Sequence, residues 1–175
     1  PMAAAVAFAT WASYVFAYTP LKRRTSLSTL VGAVPGALPP VIGWAAARGS
    51  LDPPAVLLFA ILFLWQIPHF LAIAWIYRED YAQGGLPMLP VLDPAGHLTG
   101  RQAVFHSVAL LFVSVAPAAA GMAGPYYLAG AVVLGDYSAF PRWYGRWDYR
   151  FWKGKARSDN HAVYVERYDA KHGRV

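Results

Sequence analysis

Polar and apolar positions divide this chain into long apolar runs joined by short polar loops. Five runs can be drawn, at residues 2–18, 31–47, 55–77, 104–122 and 126–140. A helix that crosses a bilayer core needs about 20 apolar residues. The third and fourth runs meet that length, while the second and fifth need support from neighbouring helices. The third run is apolar on every face instead of carrying one stripe, which points to lipid rather than to the core of a soluble bundle. The pattern predicts an all-α fold, a polytopic transmembrane helical bundle of about five membrane segments. Residues 1–140 form the membrane domain, and residues 141–175 form a basic, aromatic tail.

Composition agrees with the pattern. Of 175 residues, 57% are hydrophobic and only 14% are charged, which is too apolar for an ordinary soluble domain. Cysteine is absent, so a disulfide framework and a thiolate metal site are both excluded. The chain starts at Pro1 inside an apolar run with no charged segment before it, unlike a secretory signal peptide. The expectation is an incomplete protein or an internal fragment of one.

Charge gives the orientation. Lys22, Arg23 and Arg24 fill the first loop, Arg48 alone is in the second, and Arg78 and Arg101 belong to the third. From Pro141 onward there are nine Lys/Arg against four Asp/Glu. Loops one and three and the tail therefore share one side, which the positive-inside rule makes cytoplasmic.

The candidate chemistry lies in two stretches. The first is YTPLKRRTSLSTLVGAVPGALPPVIG from Tyr18 to Gly43, and the second is WQIPHFLAIAWIYREDYAQGGLPMLP from Trp65 to Pro90. A cationic loop (Lys22, Arg23, Arg24) and a carboxylate pair (Glu79, Asp80) at one membrane face suit a metal-diphosphate substrate. Cations hold phosphate oxygens, and carboxylates hold the metal. Each loop alone is weak, because charged residues commonly end a membrane segment. Pro35, Pro39, Pro40 and Pro68 interrupt membrane segments and free backbone carbonyls. With Gly32, Gly36 and Gly43 they permit close helix approach around a cavity. Gln66 and His69 are polar residues inside apolar sequence, where such side chains usually face a cavity or a partner. For His69 a packed histidine and a substrate contact are both open. If the helix continues past Tyr77, the eleven steps from His69 to Asp80 return to within about 20° of one face, roughly 16 Å apart. That geometry puts Asp80 at a mouth and His69 below it.

These residues resemble the haem O synthase (protohaem IX farnesyltransferase) family of the intramembrane prenyltransferase superfamily. The similarity rests on the YT…LKR.T loop at Tyr18 to Thr25 and on the Gly/Pro stretch from Gly36 to Gly43. In the second half it rests on WQ.PHF at Trp65 to Phe70 and on R.DY…G..ML at Arg78 to Leu89. It runs from about Trp11 to about Gly135. The resemblance implies transfer of farnesyl from farnesyl diphosphate to a vinyl group of haem B, with Mg²⁺ as cofactor. It implies Asp80, with Glu79, at the metal, and Lys22 and Arg23 on the diphosphate. It assigns Tyr18, Arg24, Gln66, His69 and Arg78 to substrate binding. The implied setting is a bacterial inner membrane with catalytic loops on the cytoplasmic side. The lipid bilayer, haem A synthase or oxidase assembly factors are the implied partners, and no nucleic acid.

The sequence departs from the family pattern in places. The family's first acidic motif has no counterpart here, since Asp52 is the first acid in the chain. The expectation is that this chain alone is inactive. Ser28 stands where an asparagine is expected, and the match fades after Gly135. In the tail, Arg142, Arg146 and Arg150 and the aromatics Trp143, Trp147 and Phe151 recur every four residues. That pattern reads either as an interfacial amphipathic helix or as an aberrant end. Two other functions are kept open: a quinone-pathway aromatic prenyltransferase, and an inactive membrane protein.

Overall fold

The computed structural model describes residues 1–134. Among them every regular element is a helix, as the apolar runs require, because a chain in lipid must satisfy its backbone groups within each segment. Four helical segments are long and apolar enough to cross a membrane: Met2–Leu21, Ser28–Arg48, Pro53–Ile76 and His97–Ala119. The fifth run enters as a helix at Pro125–Leu134, and its remainder lies outside the described residues, as does the tail.

The first span is α1 (Met2–Ala12), a π-helical stretch (Ser13–Tyr18) and α2 (Thr19–Leu21). Short π-helical insertions are rare and often mark functional sites. The second span is α3 (Ser28–Ala37) followed by α4 (Pro39–Arg48), parted at Leu38. The sequence explains the parting: Pro39 and Pro40 have no N–H for the carbonyls of Pro35 and Gly36. The helical course resumes at once, with Ile42 N–H donating to the Leu38 carbonyl at 2.9 Å. Gly49, at φ +74°, then ends α4 in the left-handed conformation that glycine adopts cheaply.

The third span, α5 (Pro53–Ile76), runs unbroken through Pro68. It is the central helix and packs against α3, α4 and most extensively α8 (His97–Ala119). Two short helices, α6 (Arg78–Gln83) and α7 (Leu89–Leu92), lie between α5 and α8, and α9 (Pro125–Leu134) follows. The sequence reading placed the start of the fourth span at residue 104. The helix begins seven residues earlier, because His97, Thr99, Arg101 and Gln102 form its polar first turns.

The core is made of small contacts. Ala33, Ile67 and Leu71 form one buried cluster, with Phe63, Leu89 and Ala103 against it. Val6, Val41 and Ala55 form a second. Elsewhere large side chains such as Phe8, Phe16, Phe105 and Phe112 are exposed, as expected of helices that present apolar surface to lipid.

Candidate functional site

The basic loop follows α2 in a tight turn. Arg24 and Thr25 both donate from their backbone N–H to the Leu21 carbonyl, at 2.8 and 3.1 Å. Thr25 Oγ1 accepts from Leu27 N–H, and Ser28 N–H returns to the Thr25 carbonyl. This fold-back leaves Arg23 and Arg24 exposed and Lys22 partly buried. Ser28 is 2% exposed, so a small hydroxyl fills the position where the family pattern calls for asparagine.

Tyr18 anchors the loop from below. Its ring lies on Gly32 of α3 so closely that a Cβ there would come within 2.7 Å of Cδ2. Tyr14 stacks beside it in a tilted pair, with ring centroids 5.1 Å apart. Successive spans run back and forth, so the end of the first span and the segment after the third lie at the same end of the bundle. Tyr18, Lys22, Arg23 and Arg24 border that end on one side, and Arg78, Glu79 and Asp80 follow the third span there.

The acidic segment differs from the sequence reading in one respect. The register of His69 with Asp80 assumed a helix continuing past Tyr77. In the structure α5 ends at Ile76, Tyr77 leaves the helical region at φ −102° and ψ 24°, and α6 starts afresh at Arg78. The break voids the shared-wall argument, because a new helix sets its own axis. At the break the Arg78 guanidinium lies 4.9 Å from the centroid of the Trp75 ring, with Nη1 donating at 3.4 Å to the Trp75 carbonyl. Glu79 and Asp80 are both exposed in the first turn of α6, where the helix dipole favours negative charge.

His69 is partly buried about 10 Å below the end of α5 by helical rise. Its ring stacks on Trp65, with centroids 4.9 Å apart and planes 16° apart. Gln66 is buried, and its Nε2 donates at 2.7 Å to the Ala33 carbonyl of α3. One N–H of the amide is thus committed to the neighbouring helix.

Among the described residues, no group of three or more His, Asp or Glu side chains comes together to hold a metal. Glu79 and Asp80 nevertheless fit one side of a shared site. Mg²⁺ is usually held by one or two carboxylates, with waters and substrate phosphates completing the shell.

Two features escaped the sequence reading. His106 is 8% exposed in α8, and its Nδ1 pairs with the Gln102 carbonyl at 2.7 Å. A histidine inside an apolar run was the available signal. Asp93 reaches across to the start of α8, where its Oδ2 accepts from Thr99 N–H at 2.8 Å and from Thr99 Oγ1 at 3.0 Å. The Thr99 backbone N–H, then its hydroxyl, hold the Asp93 carboxyl below its ordinary pKa.

The UbiA prenyltransferase family matches residues 1–158 of the chain. That match starts ahead of Trp11 and extends past Gly135 into the tail. Three relatives are each named protoheme IX farnesyltransferase. The protein from Solibacter usitatus (strain Ellin6076) is 58% identical over 134 residues, covering 77% of this chain and 46% of the relative. The protein from Koribacter versatilis (strain Ellin345) is 49% identical over 135 residues, covering 77% and 44%. The protein from Anaeromyxobacter sp. (strain Fw109-5) is 44% identical over 158 residues, covering 86% and 53%. The chain spans about half the length of the curated relatives it matches. No solved structure matches it. The chain belongs to the UbiA prenyltransferase family, and with its apolar helices it is a membrane protein.

Proposed function

We propose that this protein transfers the farnesyl group of farnesyl diphosphate to a vinyl group of haem B, giving haem O. The observation that supports the reading is the course of the spans, which returns the Lys22–Arg24 turn and the Glu79–Asp80 helix to the same end of the bundle. The names of its relatives supply the substrate class.

The reaction breaks the allylic C–O bond, and the electron pair leaves with the diphosphate. The farnesyl cation adds to the vinyl carbon, and water then adds with loss of a proton to complete the hydroxyethylfarnesyl group. Lys22 and Arg23 hold the phosphate oxygens and oppose the charge that develops on them. Glu79 and Asp80 would hold a Mg²⁺ ion, which when bound would supply further charge neutralisation for the departing diphosphate. His69, stacked on Trp65 within the apolar span, is assigned to contact haem B. The apolar walls of α3 and α5 keep water from the cation until transfer. The protein works in a bacterial inner membrane, with loops one and three facing the cytoplasm.

The 175-residue chain by itself is expected to make no haem O, because the family's first acidic motif, which would face Glu79 and Asp80 across the diphosphate, has no counterpart in it. The test is to incubate the complete protein with haem B, farnesyl diphosphate and Mg²⁺ and to follow the product by mass. Haem O from the complete protein supports the reading, and absence of prenylated haem overturns it. Prenylation of an aromatic acid in its place indicates the quinone-pathway reaction.

A further inference from the structure

Helix α3 has two glycine sockets, one turn apart. Gly32 receives the Tyr18 ring from the first span. Gly36 receives Gln66 from the third: a Cβ at Gly36 would collide with Gln66 Oε1 and lie 3.3 Å from its Cδ. Four residues of helix separate the sockets by about 6 Å along the axis. One helix therefore meters the height of two side chains from different spans. Tyr18 is four residues before Lys22, and Gln66 is three residues before His69.

The Gln66 amide does more than fill its socket. It is 5% exposed, and its Nε2 spends a hydrogen on the Ala33 carbonyl, 2.7 Å away. A buried amide in an apolar helix is costly unless bonded, so this contact has one stable arrangement. The bond also lies close to the parting of α3 and α4 at Leu38, where the prolines remove two backbone donors. A helix weakened there is free to slide or tilt unless something fixes it. Gln66 fixes it from the side.

We propose that Gln66 is a positioning residue: seated on Gly36 and bonded to the Ala33 carbonyl, it sets the register of the Trp65–Phe70 segment against α3 and, through Gly32 and Tyr18, against the basic loop. This assigns Gln66 to helix registration instead of substrate binding. The proposal rests on the farnesyl-transfer reading for its kinetic consequence, since the two ends so aligned are those assigned to the diphosphate and the haem. A misplacement of 1 Å between reacting groups can cost on the order of 10²-fold in rate.

The experiment uses the complete protein in membranes, with Gln66→Leu, Gln66→Asn, Gly36→Ala and the double variant Gly36→Ala/Gln66→Asn. Gln66→Leu keeps the bulk and removes the bond. It is expected to lower kcat roughly tenfold or more while both KM values stay within about threefold. Released farnesol should rise relative to prenylated haem, because a misaligned cation meets water. Gly36→Ala should reproduce that pattern by pushing the amide off its socket. Gln66→Asn is one methylene shorter, so adding Gly36→Ala to it should cost less than adding it to the native protein. A large rise in the KM for haem B at unchanged kcat makes Gln66 a substrate contact and overturns the proposal. So does a loss of activity that tracks loss of folded protein at a constant farnesol fraction. If the native protein makes no prenylated haem, the functional reading fails, and thermal unfolding of the same four variants decides the brace: additive effects of the Gly36 and Gln66 changes overturn it.

Discussion

The indole of Trp75 lies against Gly96 at the join between the third and fourth spans, so closely that a Cβ on Gly96 would stand 2.7 Å from Cη2. Gly96 also has φ +76°, a conformation that side chains with a Cβ rarely adopt. Gly49 has nearly the same angle, φ +74°, with nothing near its missing Cβ. The two positions separate backbone strain from collision. Gly49→Ala is expected to cost about 1 kcal/mol, from strain alone. Gly96→Ala should cost roughly 1–3 kcal/mol more, because the indole or the loop must move. Thermal unfolding in detergent measures both, and equal losses would show that Trp75 yields freely.

Asp93 makes the start of α8 acid-sensitive. Its folded pKa is depressed, chiefly by the Thr99 backbone N–H. A depressed carboxyl contributes stability that is present above its unfolded pKa of about 3.9 and lost as pH falls through the folded value. Native protein should therefore lose thermal stability below about pH 4 more steeply than Asp93→Asn, which has no proton to take up there. Parallel pH profiles for the two proteins would exclude this clasp as the cause.

That the two loops share one membrane side can be tested without activity. The native chain contains no cysteine, so single cysteines at Ser26 and Gln83 report alone. An impermeant maleimide is expected to label both from the same side of sealed membrane vesicles, the cytoplasmic one. Labelling from opposite sides would dismantle the shared site.

Asp80→Asn keeps size and removes one charge from the proposed metal site. In the complete protein it should lower kcat on the order of 10²-fold, with haem binding by difference spectroscopy little changed. Turnover equal to the native protein at limiting Mg²⁺ would falsify the metal assignment. Arg78→Ala offers a contrast. Arg78 is packed on Trp75, so this change should also loosen the join between α5 and α6, seen as faster proteolysis of the loop.

Hydropathy determined a great deal by itself. Long uncharged runs can satisfy their backbone in lipid only as helices, so the span at Pro53–Ile76 was legible within two residues at each end, and that at His97–Ala119 within three at its end but only within seven at its polar start. The alternation of spans puts the Lys22–Arg24 loop and the Glu79–Asp80 segment at one end of the bundle. The prolines announced the parting at Leu38. Tertiary structure alone decided how those pieces interlock. The helix break at Tyr77, where Arg78 lies over Trp75, is set by the backbone dihedrals of one residue, and helical periodicity counts straight through such a break. Gln66 was visible as a polar residue in an apolar run, but its partner is a backbone carbonyl 33 residues away. Every residue carries a carbonyl, so no side-chain pattern singles out Ala33. Gly32 and Gly36 read alike as small residues, and which neighbour fills each socket is set by the packing of three spans at once.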